Sequence, residues 1–143
     1  MNGVNLRSGK FQFRFPTEAE WEYACRAGTT LATYRGENDE ATLSAIAWHK
    51  GNSGGSTQPV KKKAPNAWGL YDMLGNVSEW CSDNQRRFAG AGVVDPNGGS
   101  GSKRVVRGGA WSSETHALRA ASRIAYTPGK VSRSIGFRLA RDA

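Results

Sequence analysis

One short segment in the middle of the chain carries the side chains whose types and spacing best suit a metal ion. Asp72 and Glu79 supply carboxylates, Asn76 supplies a third side-chain oxygen, and the backbone carbonyls of Gly75 and Val77 lie between them. Calcium binds six to eight such oxygens in flexible loops, and glycine permits the sharp backbone turn that such a loop needs. The alternative is structural: Asp72 and Asn76 cap turns, and Glu79 pairs with an arginine.

Nucleophilic and redox chemistry have less support in the sequence. His116 lies close to Ser112, Ser113 and Thr115, but residues so near in sequence rarely form a triad without tertiary help. The chain has 2 histidines, too few to make a transition-metal site persuasive. Its 2 cysteines lie outside any Cys-x-x-Cys motif. We therefore expect both to be buried, small apolar side chains.

Basic residues concentrate toward the C-terminus. Residues 103–143 hold 9 basic and 2 acidic side chains, whereas residues 1–102 hold 11 and 10. Such asymmetry suggests nucleic acid or an anionic membrane as a partner. The arginines that stand among Gly, Ala and Phe are Arg107, Arg119, Arg123 and Arg138. Because arginine has five donors and can bind several backbone carbonyls at once, we expect these side chains to hold loops together and expect no nucleic-acid partner.

Length and composition exclude several classes of protein. The chain of 143 residues is expected to form one domain. Its 38% hydrophobic content can supply a core, which excludes wholesale disorder. No apolar run approaches the roughly 20 residues of a membrane helix. No positively charged and then apolar leader opens the sequence, so the cytoplasm is the default expectation for its location.

The clearest local signal is a helix near the N-terminus. Residues 11–15 alternate between phenylalanine and polar side chains, which predicts a short strand. Thr17 and Glu20 then stand three residues apart in a capping box. The pattern predicts a helix over 17–27 with Trp21 on its buried face.

The rest of the chain reads as short strands between long loops. Residues 29–66 show no sustained period, and residues 89–102 are rich in Gly and Ser and read as a loop. Strands are predicted at 104–107 and 135–140, and 118–122 is a further candidate. The sum is an irregular α+β domain with few helices.

Five motifs stand out along the sequence. Residues 15–24 read FPTEAEWEYA and residues 66–80 read NAWGLYDMLGNVSEW. Toward the C-terminus follow RVVRGGAW at 104–111, RAASR at 119–123 and GFR at 136–138. In this order they resemble a helix, the central signature and the C-terminal signature of the formylglycine-generating enzyme (sulfatase-modifying factor) family.

The resemblance implies a C-type-lectin-like fold with little regular secondary structure, over a single domain spanning residues 1–143. It also implies that Asp72, Gly75, Val77 and Glu79 occupy the family's calcium loop. Relative to the family the chain is short before the helix. Apolar surface left uncovered there would favour a homo-oligomer or a partner chain.

A departure from the family concerns its copper chemistry. The family's oxidase uses two cysteines just after the Gly-Gly-x-Trp motif to bind copper, activate oxygen and convert a substrate cysteine into formylglycine. Here the first aligns with Ser113, and the second falls near residues 116–118, where this chain has no cysteine. A hydroxyl is a poor Cu(I) ligand. We therefore expect no copper, no formylglycine-generating activity and no catalytic residue.

Two functions from different classes follow from the resemblance. The first is a non-catalytic domain that binds an unidentified protein or small ligand through C-terminal loops, as in the variable proteins of diversity-generating retroelements. The second is a formylglycine-generating-enzyme-like oxidase or another metal-dependent oxidoreductase. The residues expected to form the binding surface are Ser112, Ser113, Thr115, His116, Ser122, Ile124, Tyr126, Lys130 and Arg133.

Overall fold

The computed structural model describes residues 6–8, 11–85 and 101–142. Over these residues the α+β class expected from the sequence is confirmed, with two helices and seven short strands. In chain order the elements are β1 (Leu6–Ser8), β2 (Phe11–Arg14), α1 (Glu18–Arg26), α2 (Glu40–Ile46), β3 (Ser78–Asn84), β4 (Arg104–Arg107), a 3₁₀ turn (Thr115–Ala117), β5 (Arg123–Tyr126), β6 (Ile135–Gly136) and β7 (Ala140–Arg141). No helix in the described parts of the chain is both long and apolar enough to cross a bilayer.

The strands form two sheets. The smaller sheet has the order β1-β2-β7 and the larger has the order β5-β4-β3-β6. In the larger sheet β3 pairs antiparallel with β4 and parallel with β6, and β5 pairs antiparallel with β4. The β2-β7 pair places the end of the chain beside its beginning.

Helix α1 begins where the capping box predicts. The Glu20 N–H donates to Thr17 Oγ1 at 3.1 Å, and the Thr17 N–H donates to Glu20 Oε2 at 2.8 Å. Ala27 ends the helix in the left-handed conformation at φ 46°. Trp21 and Cys25 are buried, as expected for side chains four residues apart on one helix face.

The core lies between α1, α2 and the inner face of the larger sheet. Trp21 and Cys25 pack there with Cys81 of β3 and with Leu43 and Ile46 of α2. Helix α2 was not predicted from the sequence, because a helix of seven residues is too short to show a sustained period.

Arginines of the larger sheet connect it to helix α1 and to the turn before β5. Arg107 is almost fully buried, donates to the Ser122 carbonyl at 2.5 Å and pairs with Glu22. Arg123 pairs with Glu18 at 2.5 Å. Arg107 thus has the loop-holding role expected of it, whereas Arg119 is exposed.

Two sequence predictions near the C-terminus are corrected. The candidate strand at 118–122 is wrong, since the backbone turns there, with the Ser122 N–H donating to the Arg119 carbonyl at 3.0 Å. The single strand predicted over 135–140 is two strands, because β6 joins the larger sheet and β7 joins the smaller one. Most of the loop predicted at 89–102 lies outside the described residues.

Candidate functional site

The segment with the best metal-binding pattern forms a tight turn against its neighbours. Asp72, Gly75 and Asn76 all have left-handed backbone conformations, with φ of 55°, 75° and 61°. A Cβ at Gly75 would lie 2.3 Å from the Trp48 carbonyl oxygen, so only glycine fits at that contact. The Asn76 N–H donates to the same carbonyl at 2.9 Å. Glycine therefore lets this turn approach the Trp48 backbone.

Glu79, at the start of β3, is held by a buried ion pair. Arg138 donates through Nε at 2.6 Å and through Nη2 at 2.8 Å, and Trp21 Nε1 donates to the same carboxylate at 2.7 Å. Arg138 also donates to the Tyr71 carbonyl at 3.0 Å. Although burial disfavours its charged form, hydrogen bonding to Glu79 raises the pKa of Arg138 above its ordinary value. Arg138 is therefore charged.

Asp72 and Asn76 hold the loop that precedes them. Asp72 Oδ2 accepts from the Lys61 N–H at 2.8 Å. Asn76 Oδ1 accepts from the Gln58 N–H, and Asn76 Nδ2 donates to the Gln58 carbonyl, both at 3.0 Å. These contacts are of the kind that the structural alternative predicts for the two side chains.

The arrangement of these donors limits how well they fit calcium. The affinity of a calcium site depends on its ligand charge, and the guanidinium of Arg138 already neutralises Glu79. Asp72, Glu79 and Arg138 together carry one net negative charge, so a calcium ion would compete with the arginine for Glu79. No group of three His, Cys, Asp or Glu side chains suited to a metal exists among residues 6–8, 11–85 and 101–142. Calcium at Asp72, Gly75, Val77 and Glu79 stays a prediction.

The cysteines and His49 lie inside the structure. Burial raises the pKa of the Cys25 thiol to about 12 and raises that of Cys81 further. Both thiols are therefore protonated at neutral pH and are poor nucleophiles. His49 is buried, and its Nδ1 accepts from the Gly51 N–H at 3.2 Å while its Nε2 lies 3.4 Å from Glu40 Oε1. These contacts fit structural roles.

Part of the surface expected to bind ligand is built on the loop that follows β4. Trp111 anchors this loop, since its N–H donates to the Asn76 carbonyl at 2.8 Å and its Nε1 donates to the Arg133 carbonyl at 3.3 Å. Ser112 Oγ lies 3.4 Å from Ser134 Oγ. The structure thus brings Ser112 and Arg133 to one place although they are far apart in sequence.

The next residues of the loop differ in how far their side chains are exposed to solvent. Ser113 Oγ accepts from the Ala110 N–H at 2.9 Å, so this hydroxyl closes a turn. Thr115 opens the 3₁₀ turn, and its carbonyl accepts from the Leu118 N–H at 3.0 Å. His116 is exposed to solvent. Of these predicted ligand residues, His116 is the one most open to a partner.

The remaining predicted ligand residues lie just before, on and after the edge strand β5. Ser122 precedes the strand, whereas Ile124 and Tyr126 belong to it, and β5 is the outer strand of its sheet. Alternate residues of a strand share one face. Ile124 and Lys130 are exposed, whereas Ser122 and Tyr126 are half-buried. The predicted surface therefore has two parts, one on the loop and one on the edge strand.

The structure contains a cleft of about 380 Å³ that was not predicted from the sequence, and residues of the candidate calcium loop form part of its lining. Val60, Leu70, Tyr71 and Phe137 contribute apolar walls. These residues come from three separate stretches of the chain, so no local pattern announces the cleft. The one sequence signal for the cleft was Phe137, a large aromatic residue. It lies in a short segment between β6 and β7 that belongs to neither sheet.

Comparison with known proteins places this geometry among relatives. The family model of the sulfatase-modifying factor enzyme 1-like domain matches residues 5–143. The formylglycine-generating enzyme of Streptomyces coelicolor is 40% identical over 149 residues, which cover 91% of this chain and 47% of that protein. Serine/threonine-protein kinase pkn1 of Chlamydia pneumoniae is 38% identical over 135 residues, covering 90% of this chain and 21% of that protein.

Among solved structures, Treponema denticola variable protein 1 superposes with a TM-score of 0.85 and 44% sequence identity, covering 94% of this chain and 49% of that chain. The family resemblance and the C-type-lectin-like fold expected from it are confirmed by these matches. The chain spans half or less of the length of each of these relatives.

Proposed function

Because the chain belongs to the sulfatase-modifying factor enzyme 1-like family, we propose that it uses the family fold as a non-catalytic domain that binds a protein or small ligand. The observation that carries the proposal is the absence of thiols at position 113 and at positions 116–118. These are the places where, by resemblance, the family's oxidase carries its two cysteines.

No side chain at those positions is a thiol. Ser113 offers a hydroxyl that is occupied by the Ala110 N–H, and Leu118 is a fully buried hydrocarbon. Cu(I) favours soft thiolate ligands. The two thiols of the chain, Cys25 and Cys81, are buried in the core with raised pKa values. The residues of this chain therefore favour binding over oxidation.

The framework around the C-terminal loops supports a binding role. Trp111 is fixed by the Asn76 carbonyl, by the Arg133 carbonyl and by Ser53, whose Oγ donates to the Trp111 carbonyl at 3.0 Å. Binding residues commonly lie on loops that a rigid scaffold positions. Around this anchor, Ser112 and Arg133 are exposed. Substitution at such positions leaves the anchor untouched.

The likeness to Treponema denticola variable protein 1 supports a finer proposal. Under it, the exposed C-terminal residues differ between copies of the gene, as in a variable protein of a diversity-generating retroelement. A near-identical template copy beside a reverse-transcriptase gene is the expected finding in the source genome. A genome without such a copy would contradict the finer proposal and leave the binding role standing.

Tolerance of the surface to substitution can be measured directly. A displayed library that randomises Ser112, His116, Ile124, Lys130 and Arg133 is selected against lysozyme as a defined protein probe. A matched control library randomises exposed residues elsewhere, namely Leu31, Arg35, Glu37, Ala41 and Ala45. We expect folded binders from the first library and none from the second. Equal yields from both, or loss of folding in the first, would contradict a dedicated binding surface.

The second candidate function is an oxidase like the family's formylglycine-generating enzymes, and the 40% identity to the Streptomyces coelicolor enzyme favours it. A sulfatase-motif peptide incubated with the copper-loaded protein and oxygen tests it by mass spectrometry. We expect no formylglycine. Turnover would sink the binding proposal, and stoichiometric iron or copper in the purified protein would favour the enzyme.

A further inference from the structure

We propose that the cleft lined by Val60, Tyr71 and Phe137 is a second docking site, and that it receives an apolar side chain of an acidic polypeptide. Its volume of about 380 Å³ lies within the range of about 300–1,000 Å³ found for ligand sites. The residues that line it include none of those expected to form the C-terminal binding surface. The inference is therefore independent of the function proposed above.

The walls of the cleft are apolar and open to solvent. Val60 and Phe137 both line it, come from distant parts of the chain, and are 66% and 61% exposed. Leu70, Tyr71 and Val77 add further apolar lining, while Asp72 and Glu79 of the candidate calcium loop supply its acidic side chains. Large apolar side chains exposed together mark interaction sites more often than chance surface. The cleft thus has the character of a pocket for a hydrophobic side chain.

Exposed aromatic rings continue the apolar surface beyond the cleft. Trp68 adjoins Gly69 of the cleft lining and packs edge-on against Tyr23 of α1, with ring centroids 4.9 Å apart. On the other side, the Phe137 ring lies 5.8 Å from that of Phe15. Tyr23 and Trp68 are both exposed. Aromatic side chains are enriched at protein interfaces, so these rings suit a polypeptide partner.

The charges around the cleft select the partner. Lys61 lines the cleft and Lys62 follows it, and both are exposed. Within the described part of the chain neither amine has a carboxylate within ion-pair distance, and Lys61 Nζ lies 5.7 Å from the Tyr71 ring centroid. Asp72 offsets one of these charges, while Glu79 at the cleft is neutralised by its arginine. The rim is therefore net positive and complements an acidic partner.

The same charges argue against a second copy of this chain as the occupant. Two copies would bring equal lysine pairs together, and each chain carries a net charge of +8. Like charges across an interface oppose association. An acidic polypeptide that carries an aromatic anchor satisfies both the walls and the rim.

Amide and indole chemical shifts of the ¹⁵N-labelled protein test the proposal. The probe is the peptide acetyl-EDFDE-amide, and the comparison peptides replace phenylalanine by alanine or the acidic residues by lysine. We expect shifts at Leu70, Tyr71, Phe137 and the Trp68 indole. The alanine peptide should bind about tenfold more weakly, because it loses the burial of one aromatic side chain, and the lysine peptide should bind more weakly still.

Two matched variants and one sedimentation measurement complete the test. Val60→Glu places a negative charge on the cleft wall and should abolish the shifts, whereas Val131→Glu, at a 94% exposed valine away from the cleft, should leave them unchanged. Shifts that spread over the whole surface, or equal binding of the acidic and basic peptides, would overturn the proposal. Concentration-dependent dimers in sedimentation that Val60→Glu abolishes would overturn it too, by identifying a second copy as the occupant.

Discussion

Replacement of Arg138 by methionine should destabilise the domain strongly, because it removes the partner of a buried carboxylate. The Glu79 side chain is 7% exposed and that of Arg138 is 26% exposed. Two hydrogen bonds of 2.6 and 2.8 Å join them, and a third from Arg138 reaches the Tyr71 carbonyl. Methionine keeps the apolar length of the side chain, so the change isolates the charge.

The size of the effect follows from what remains around Glu79. Removal of one partner from a buried ion pair costs about 3–5 kcal/mol, because the other charge is left uncompensated. The Trp21 N–H still donates to the carboxylate at 2.7 Å, so we expect the lower end, about 3 kcal/mol. In a domain of this size that corresponds to a fall in Tm of roughly 10 °C.

Urea unfolding followed by circular dichroism measures the free energy of unfolding for a double-mutant cycle. Glu79→Gln keeps a carbonyl oxygen for Trp21 while removing the charge. The double variant Glu79→Gln with Arg138→Met should therefore be more stable than Arg138→Met alone, by about 2 kcal/mol. Arg119→Met, at an exposed arginine, is the control and should stay within about 0.5 kcal/mol of the parent. The reasoning is refuted if Arg138→Met matches this control, or if the two single losses simply add.

Two further predictions concern acid and calcium. Hydrogen bonding to Arg14 lowers the pKa of Glu20 from 4.5 to about 2. The contribution of Glu20 to stability is therefore complete above its pKa in the unfolded chain and is lost as the pH falls toward its pKa in the folded protein. Glu20→Gln should lose less stability than the parent between about pH 7 and pH 3, and equal losses in urea unfolding would contradict this. Calcium added to EDTA-treated protein should raise the Tm of Arg138→Met more than that of the parent, because Glu79 is then free to bind the ion, and no rise in either protein would contradict the calcium prediction.

The sequence announced those elements whose signals are local. The capping box needs only Thr17 and Glu20, three residues apart, and α1 begins there as predicted. The β4 strand was likewise predicted from a run of consecutive residues. By contrast, β3 follows directly on a tight turn rich in glycine and polar side chains, and its burial depends on pairing with both β4 and β6. Such pairing is a tertiary property that no short window contains.

The candidate site shows the same limit. An arginine partner for Glu79 was one of two readings of the sequence, but the partner itself, Arg138, lies 59 residues away. The cleft is assembled from residues around 60, 70 and 137, and its occurrence depends on β6 and β7 joining different sheets. The fold could be predicted from the family resemblance, whereas the cleft is seen only in the contacts of the folded chain.

Asn76 connects the two surfaces proposed for binding. Its backbone carbonyl accepts from Trp111, the anchor of the C-terminal loop, while its side chain makes both hydrogen bonds to the Gln58 backbone in the loop that leads to Val60. Its backbone is left-handed, at φ 61°, and in this conformation its carbonyl contacts one loop while its side chain contacts the other. Asparagine tolerates that conformation better than most side chains. Solvent-facing residues of either surface can therefore change independently, because they lie outside this connection. A change at Asn76 itself would release both surfaces together.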